Sequence, residues 1–97
     1  MVLTTININM NDKEIEKILK ALANKRRLAI VNLLKKKGRI SVGNLASAIK
    51  LSFNATSKHL KILFSINIVD KDQVGLVMFY KISEEIPKLA QLIISIL

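Results

Sequence analysis

Apolar residues recur at helical spacing through the first half of the chain. The first and third of three stretches place them at i, i+3, i+4 and i+7, the pattern of a helix that buries one face. The second stretch carries Leu28, Val31 and Leu34 on one side, widened by Ile30 and Leu33. Each stretch begins near an Asn, Asp or Ser that is suited to cap a helix. The predicted helices run from about Asn11 or Asp12 to Ala23, from Asn24 to about Lys36, and from Val42 to about Lys50. Arg39 and Ile40 are expected to form a short strand.

The stretch from Leu51 to Ile66 predicts a fourth helix with two different faces. At 100° per residue, one side carries Thr56, Leu60 and Leu63, which can pack. Ser52 is suited to cap this helix. The opposite side carries small polar and cationic residues, namely Asn54, Ser57, Lys58, Lys61 and Ser65. Because this side lacks acids, it suits contact with a phosphate-lined groove, although a solvated surface helix also shows a polar stripe.

The order of the elements predicts the fold class. About four residues separate the third and fourth helices, which is typical of a helix-turn-helix. After Asn67 the pattern changes to two β-favouring runs, 68–73 and 76–82, joined through residues 72–75 as a hairpin. A hairpin directly after a helix-turn-helix is a wing. We therefore predict an α+β, mainly helical fold: a winged helix-turn-helix of about five helices plus a β-hairpin wing.

The two ends of the chain complete one predicted domain over residues 1–97. Residues 1–10 show no clear period and are interpreted as a flexible arm or a short strand. A last helix is expected to begin at residues 83–85, or at Ile86 with Pro87 in its first turn. It is apolar most of the way round, so residues 84–97 are predicted to be a dimerisation helix that a partner buries.

Positive charge is concentrated in the middle of the chain. The formal net charge is +9, and from Lys17 to Val69 there are twelve Lys or Arg residues and no acid. The positive electrostatic field of this stretch favours a polyanionic partner. A solubilising surface and an anionic membrane surface are the alternatives, although the apolar helix faces point inward. Lys25, Arg26 and Arg27 fall in the first turn of a helix, where the dipole disfavours cations; this suggests an external ligand, or simple solvation.

Several function classes are disfavoured. The chain has no Cys and one His, so disulfides, thiolate chemistry and a metal site are not expected, and no cofactor is predicted. It also lacks a Gly-rich phosphate loop and any supported catalytic set, so we do not expect an enzyme. No apolar run approaches the roughly 18 residues of a membrane span, and the N-terminus does not resemble a signal peptide. The predicted location is the cytoplasm.

Four segments of the chain match the pattern of a known family: ALANKRRLAIVNLL (21–34), ISVGNLA (40–46), SKHLKIL (57–63) and the hairpin that ends in Phe79-Tyr80. Over roughly residues 14–83, the chain resembles the ArsR/SmtB-type family of winged-helix repressors. The resemblance implies a symmetric homodimer formed by the first and last helices, and repression of transcription through operator binding. It therefore assigns the dimer interface to Ile15, Ile18, Leu89, Leu92, Ile93 and Ile96.

Two differences from the family pattern limit what the resemblance implies. Many members sense metals through Cys pairs in the helix occupied here by residues 42–50, or through His and carboxylate ligands in the last helix. Both are missing here, so a metal switch is not expected. Leu76 and Val77 stand where the family commonly carries Arg after the hairpin Gly. The wing should therefore contact DNA less than usual, with Lys71 and Gln73 as the remaining candidates.

The candidate DNA contacts centre on the fourth helix. Ser57 and Lys58 lie at the family's recognition positions and also on the polar stripe. The role of Arg27 is open: it could form an ion pair within the dimer or contact a phosphate. The role of His59 is also open. We favour half-buried packing over an edge-on phosphate contact. The full predicted set is Ser52, Asn54, Ala55, Ser57, Lys58, Lys61, Lys71, Gln73 and Arg27.

These features together predict a sequence-specific DNA-binding transcriptional regulator, more specifically a repressor. It would bind an inverted-repeat operator as a homodimer through the helix at about 53–66. Two alternatives remain open: a sequence-indifferent architectural DNA-binding protein, and a winged-helix module that contacts protein in a transcription complex. The predicted partners are double-stranded DNA and a second copy of the chain, without a membrane. The sequence identifies no small-molecule effector.

Overall fold

A computed structural model describes residues 9–97 and contains five helices and one three-stranded antiparallel sheet. In chain order the elements are α1 (Asp12–Leu22), α2 (Lys25–Lys37), β1 (Ile40–Ser41), α3 (Val42–Ile49), α4 (Phe53–Ser65), β2 (Val69–Val74), β3 (Val77–Ile82) and α5 (Lys88–Ser95). This architecture confirms the predicted winged helix-turn-helix. Most of the predicted N-terminal arm, residues 1–8, lies outside the described residues.

Short polar side chains begin the first four helices. Asn11, Asn24, Ser41 and Ser52 each have extended backbone and accept a hydrogen bond from an N–H in the first turn that follows. Such bonds satisfy N–H groups that the helix itself leaves without partners. Gly38, with a φ of 82°, ends α2. These local signals explain why the helix starts could be predicted closely.

The hydrophobic core lies where the five helices meet the sheet. The packing side of α4 is fully buried, as predicted from its spacing: Thr56, Leu60 and Leu63 are inaccessible to solvent. The Thr56 hydroxyl donates to the Ser52 carbonyl at 2.8 Å, so the buried polar group has a partner. The other large, fully buried side chains are Ile30, Val31, Leu34, Leu45, Ile68 and Val69.

The wing is a tighter hairpin than predicted. The sheet order is β1-β3-β2, and pairing between β2 and β3 continues to Val74 opposite Val77. Only Gly75 and Leu76 form the loop, so the expected connection over residues 72–75 was too long. Gly75 has a φ of 61°, and a Gly with positive φ in the first loop position matches the twist of the strands. The short strand is also shifted, because it comprises Ile40 and Ser41 rather than Arg39 and Ile40.

The last helix starts later than predicted. Ser83 donates its backbone N–H to the Ile68 carbonyl at 3.0 Å, and its hydroxyl accepts from the Glu85 N–H at 3.1 Å. Pro87 has extended backbone and occupies the N-cap position of α5 instead of its first turn. Residues 83–87 therefore form a turn that the sheet holds in place, and the helical part of the predicted segment 84–97 is Lys88–Ser95.

One predicted interface residue belongs to the core of its own chain. Ile18 is 3% exposed, so it has almost no surface left for a partner. Ile15 and two residues of α5, Leu89 and Ile93, are half-buried. None of the helices in residues 9–97 has the length and apolar character needed to cross a bilayer.

Candidate nucleic-acid interface

The turn between α3 and α4 is short and closed by backbone hydrogen bonds. Lys50 has left-handed backbone, with a φ of 56°. The Leu51 N–H donates to the Ala46 carbonyl at 3.0 Å, and the Lys50 N–H donates to the Ser47 carbonyl at 3.3 Å. These bonds satisfy the last carbonyls of α3 and reverse the chain. As a result, only three residues separate the end of α3 from the start of α4, as a helix-turn-helix requires.

The outer face of α4 carries the predicted polar stripe. Asn54, Lys58 and Lys61 are exposed, and Ser57 is half-buried beside them. None of these four side chains forms a hydrogen bond or an ion pair with another residue of the described range. Their donors and acceptors are thus available to a ligand. The arrangement suits the base edges and phosphates of a major groove.

The start of α4 uses two members of the predicted set for its cap. The Ser52 hydroxyl accepts from the Ala55 N–H at 3.1 Å. The Ser52 O–H proton can still be donated to a phosphate near the helix N-terminus, where anions are favoured. Ala55 is half-buried and can offer only a methyl group.

Both predicted contacts on the wing are engaged within the chain. The Lys71 ammonium lies 4.5 Å from the centre of the Phe64 ring, a cation–π contact. The Gln73 amide donates to the Gly75 carbonyl at 3.2 Å and supports the turn. On the neighbouring strand position, Asp72 accepts from Arg39 at 3.2 Å. The charged side chains of the wing are therefore held along its strands rather than at its tip.

Arg27 bonds to two other helices. Its Nε donates to the Ala21 carbonyl and its Nη2 to the Lys20 carbonyl at 3.4 Å, both at the end of α1. Its Nη1 lies 3.0 Å from Nδ1 of His59 in α4. The sequence left an ion pair or a phosphate contact open for this residue. The structure instead directs its guanidinium to carbonyls and to an imidazole of the same chain.

The surroundings of His59 favour the neutral form of its imidazole. Burial lowers the pKa of His59 below its ordinary value, and the charges of Arg27 and Arg26 lower it further. The neutral ring accepts from Arg27 through Nδ1, which leaves the proton on Nε2. His59 is half-buried, as expected from its position beside the packed face.

Two more cations of α2 bond to the ends of helices. Arg26 donates to the Ile49 carbonyl of α3 at 2.8 Å. Lys35 donates to the carbonyls of Ile94 and Ser95 in α5 at 3.0 and 3.4 Å. The first-turn cations of α2, which suggested an external ligand, therefore have partners inside the chain in the case of Arg26 and Arg27. Their unfavourable position for the α2 dipole could be seen in the sequence. Their partners in α3 and α4, Ile49 and His59, could not, because they lie 23 and 32 residues away.

Most of the positive charge remains without a counter-charge. The part of the chain that the structure describes contains three ion pairs, all between exposed side chains: Lys20 with Glu16, Arg39 with Asp72, and Lys81 with Glu84. Exposed pairs of this kind contribute little stability. Within the same range, no group of three or more His, Cys, Asp or Glu side chains is placed to hold a metal ion.

Comparison with known proteins identifies similar sequences and structures. A family model described as winged helix-turn-helix DNA-binding matches residues 23–69. The chain is 38% identical over 81 residues to the transcriptional activator HlyU of Vibrio cholerae, covering 76% of this chain and 74% of that protein. It is 32% identical over 73 residues to the arsenical resistance operon repressor of Bacillus subtilis, covering 75% of this chain and 70% of the relative.

Solved structures show the same fold. Reduced HlyU from Vibrio cholerae superposes with a TM-score of 0.76 at 32% identity, over 89% of this chain and 86% of that one. The homodimeric winged helix-turn-helix DNA-binding domain of Mb0332 from Mycobacterium bovis superposes with a TM-score of 0.74 at 29% identity. This second match covers 90% of this chain and 86% of the other.

Proposed function

The chain belongs to the ArsR family of winged helix-turn-helix DNA-binding transcriptional regulators, and we propose that it binds an inverted-repeat operator as a homodimer. Membership of this family confirms the predictions that the chain is a DNA-binding regulator and not an enzyme. Of the two relatives, one is named a repressor and the other an activator. We propose that this chain represses transcription, because the bound dimer would occupy promoter DNA. We also propose that it is located in the cytoplasm, where its DNA ligand lies.

The observation that carries this proposal is the outer face of α4. It presents Asn54, Ser57, Lys58 and Lys61 side by side, with their polar groups not engaged by other described residues. Asn54 suits an adenine edge, and Lys61 suits guanine or a phosphate. Ser52 and Ala55 would meet the duplex at the start of the helix, and Lys71 and Gln73 would lie along the wing. For Arg27 we propose a positioning role, since its guanidinium holds α1 and α4.

The dimer proposal is supported by the apolar outer face of α5. Leu89, Leu92, Ile93 and Ile96 follow the i, i+3, i+4, i+7 spacing of one helix face. Leu92 is 38% and Ile96 82% exposed, while Ala90 and Ile94 face the core. Leaving such a face in water is unfavourable, and the similar domain of Mb0332 is described as homodimeric. The proposed interface therefore comprises Ile15, Leu89, Leu92, Ile93 and Ile96.

Two-fold symmetry determines the form of the DNA site. A symmetric dimer presents two copies of α4, which would enter successive major grooves about 34 to 36 Å apart on one face of the duplex. Each copy reads the same half-site, so the operator is an inverted repeat. The acid-free stretch from Lys17 to Val69 supplies a field that attracts the phosphates.

A salt-dependent DNA titration tests the proposed function. Purified protein is mixed with a random duplex and with a duplex selected from a random pool, at several salt concentrations. We expect an inverted repeat in the selected duplex, bound about a thousandfold more tightly than random DNA near physiological salt. Equal affinity for both that collapses with salt would identify an architectural protein. The absence of binding would favour the protein-interaction module.

The recognition helix is tested by the double substitution Ser57→Ala and Lys58→Ala. Binding to the selected duplex should weaken by about 1 to 3 kcal/mol per base-contacting residue, since hydrogen bonds to base edges are lost. The control Lys13→Ala removes one positive charge from α1 and should leave specific binding close to that of the wild type. A double variant that is dimeric and binds with wild-type affinity would remove α4 from the proposed interface.

A further inference from the structure

A groove of about 380 Å³ lies between α1 and the C-terminal end of α4. Its volume is within the range of pockets that hold small molecules. Apolar side chains of both helices line it, namely Ala21, Ile62 and Ile66. Three cationic side chains also line it, namely Lys17, Lys20 and Arg27. We call this site the α1–α4 groove.

The apolar part of the groove is partly open to water. Ile62 is 42% exposed, and Ile66 is half-buried. Ser65, which also lines the groove, donates its hydroxyl proton to the Ile62 carbonyl at 2.7 Å, so this donor is satisfied within α4. An apolar group that covered Ile62 and Ile66 would remove apolar surface from water, which is favourable.

Arg27 supplies a fixed cation to the groove. Its guanidinium carries five N–H donors, of which three bond to the Ala21 carbonyl, the Lys20 carbonyl and the His59 ring, so two remain for an anion. Arg27 is half-buried, and these bonds hold its planar group in place. Binding of an anion would therefore cost little ordering of this side chain.

The two lysines of the groove are also available to an anion. Lys17 is exposed and forms no ion pair with another residue of the described range. Lys20 lies 3.7 Å from Glu16, but both side chains are exposed, so this pair is weak. Among residues 9–97, no Asp or Glu lines the groove. The groove is thus complementary to a ligand with an anionic head and an apolar tail.

We propose that the α1–α4 groove binds a small carboxylate with an apolar tail, of the class of a free medium-chain fatty acid, and that the bound ligand weakens DNA binding. The second part rests on the proposed function. A DNA phosphate would match the cations but would leave Ile62 and Ile66 in water. Because Ile62 lies one helical turn after Lys58, the groove adjoins the proposed DNA-contact face. A negative charge bound there would repel the phosphates over a distance at which salt screens incompletely.

Calorimetric titration of the purified chain tests binding, with decanoate below its micelle-forming concentration as the probe. We expect decanoate to bind about tenfold more tightly than decan-1-ol, which lacks the charge. Butyrate should bind about a hundredfold more weakly than decanoate, because most of the apolar chain is missing. Equal affinities for decanoate and decan-1-ol would overturn the role of the cations.

Amide chemical shifts in NMR spectra locate the bound decanoate. The shifts that change should centre on Ala21, Ile62 and Ile66. Changes centred instead on Leu92 and Ile96 would place the ligand on the exposed face of α5 and would overturn the α1–α4 groove as the site.

Two substitutions of exposed residues test the two halves of the groove. Lys17→Gln removes a cation and Ile62→Asn removes apolar surface, and each should weaken decanoate binding about five- to tenfold. The matched controls, Lys13→Gln and Leu19→Asn, change residues of α1 outside the groove and should bind like the wild type. Leu19 is 48% exposed, close to the value for Ile62. Wild-type affinity in both groove variants would overturn the site.

The effect on DNA is measured by titrating the selected duplex with and without saturating decanoate. The ligand should weaken binding by about five- to tenfold, and the DNA complex should bind decanoate more weakly by the same factor. Ile62→Asn should bind the duplex like the wild type but should respond less to decanoate.

The outcomes distinguish this inference from the proposed function. If the wild type prefers the selected duplex but decanoate neither binds nor changes that affinity, the inference is overturned and the regulator role stands. Binding of decanoate without an effect on DNA affinity overturns the regulatory part alone. If the wild type shows no site preference, the proposed function is overturned, while calorimetry and NMR still decide whether the groove binds the carboxylate.

Discussion

Arg27 shows how one side chain can orient several helices. From α2 it reaches the last carbonyls of α1 and the ring of His59 in α4, through three different nitrogens. The planar guanidinium offers donors in fixed directions, which a lysine ammonium does not. Because α4 is the proposed recognition helix and α1 part of the proposed dimer interface, this side chain couples the orientation of the two.

The pH dependence of stability should report the lowered pKa of His59. The pKa of His59 in the folded chain lies below its ordinary value of 6.5, so below pH 6.5 the unfolded chain binds more protons. The contribution of neutral His59 to the free energy of unfolding should therefore be complete above pH 6.5. It should be lost as the pH falls through the lowered pKa. Urea unfolding at a series of pH values from 7.5 to 5 measures this slope, at roughly half-unit steps.

The variant His59→Gln provides the control for this slope. Glutamine cannot titrate, so the decrease below pH 6.5 should be smaller in the variant than in the wild type. Equal slopes in the two proteins would show that His59 has the same pKa in the folded and unfolded chains.

Side chains of α2 form hydrogen bonds to the C-terminal ends of three other helices. Its cations Arg26, Arg27 and Lys35 donate to the C-terminal carbonyls of α3, α1 and α5 respectively. The last carbonyls of a helix lack partners within it, and the dipole makes that end attractive to cations. An arrangement that is unfavourable for α2 alone is therefore favourable for the assembled domain.

Lys35→Met should loosen the attachment of α5. Methionine keeps an apolar stem but cannot donate to the carbonyls of Ile94 and Ser95, so the free energy of unfolding should fall by about 0.5 to 1 kcal/mol. Lys36→Met is the matched control, because the neighbouring Lys36 is exposed and has no hydrogen bond to another described residue. Denaturant unfolding measures the free energy of unfolding of both variants. Equal values for Lys35→Met and Lys36→Met would contradict the capping role of Lys35.

The proposed dimer depends on the apolar face that α5 leaves exposed. The double substitution Leu92→Glu and Ile96→Glu should convert the dimer to monomer, because carboxylates would be buried in the proposed interface without partners. The monomer should also bind the selected duplex more weakly, since it engages one half-site. Light scattering measures the mass, and DNA titration measures the affinity.

The control for assembly is Gln91→Glu, which adds a carboxylate to an exposed position of α5 outside the apolar face. This variant should remain dimeric. A double variant at Leu92 and Ile96 that is soluble and fully dimeric would place the interface elsewhere on the molecule.

The predictions that the structure confirmed depend on residues close together in the chain. The caps at Asn24 and Ser52 involve bonds over two or three residues, and the packed face of α4 follows from a spacing of three to four. The hairpin was predicted from its β-favouring runs, but its strand ends were not, because the register depends on pairing with the opposite strand. The contacts proposed for the polar face of α4 remain predictions.

The sequence by itself determined the fold class, the starts of the first four helices and the segregation of charge, because caps, periodicity and charge order are local properties of the chain. Tertiary structure alone decided the partners of Arg26, Arg27 and Lys35, the burial of Ile18 within its own chain, and the start of α5 at Lys88. Those features join residues as far apart as Lys35 and Ile94. Such contacts exist only after separate elements have packed, so neither composition nor spacing specifies them.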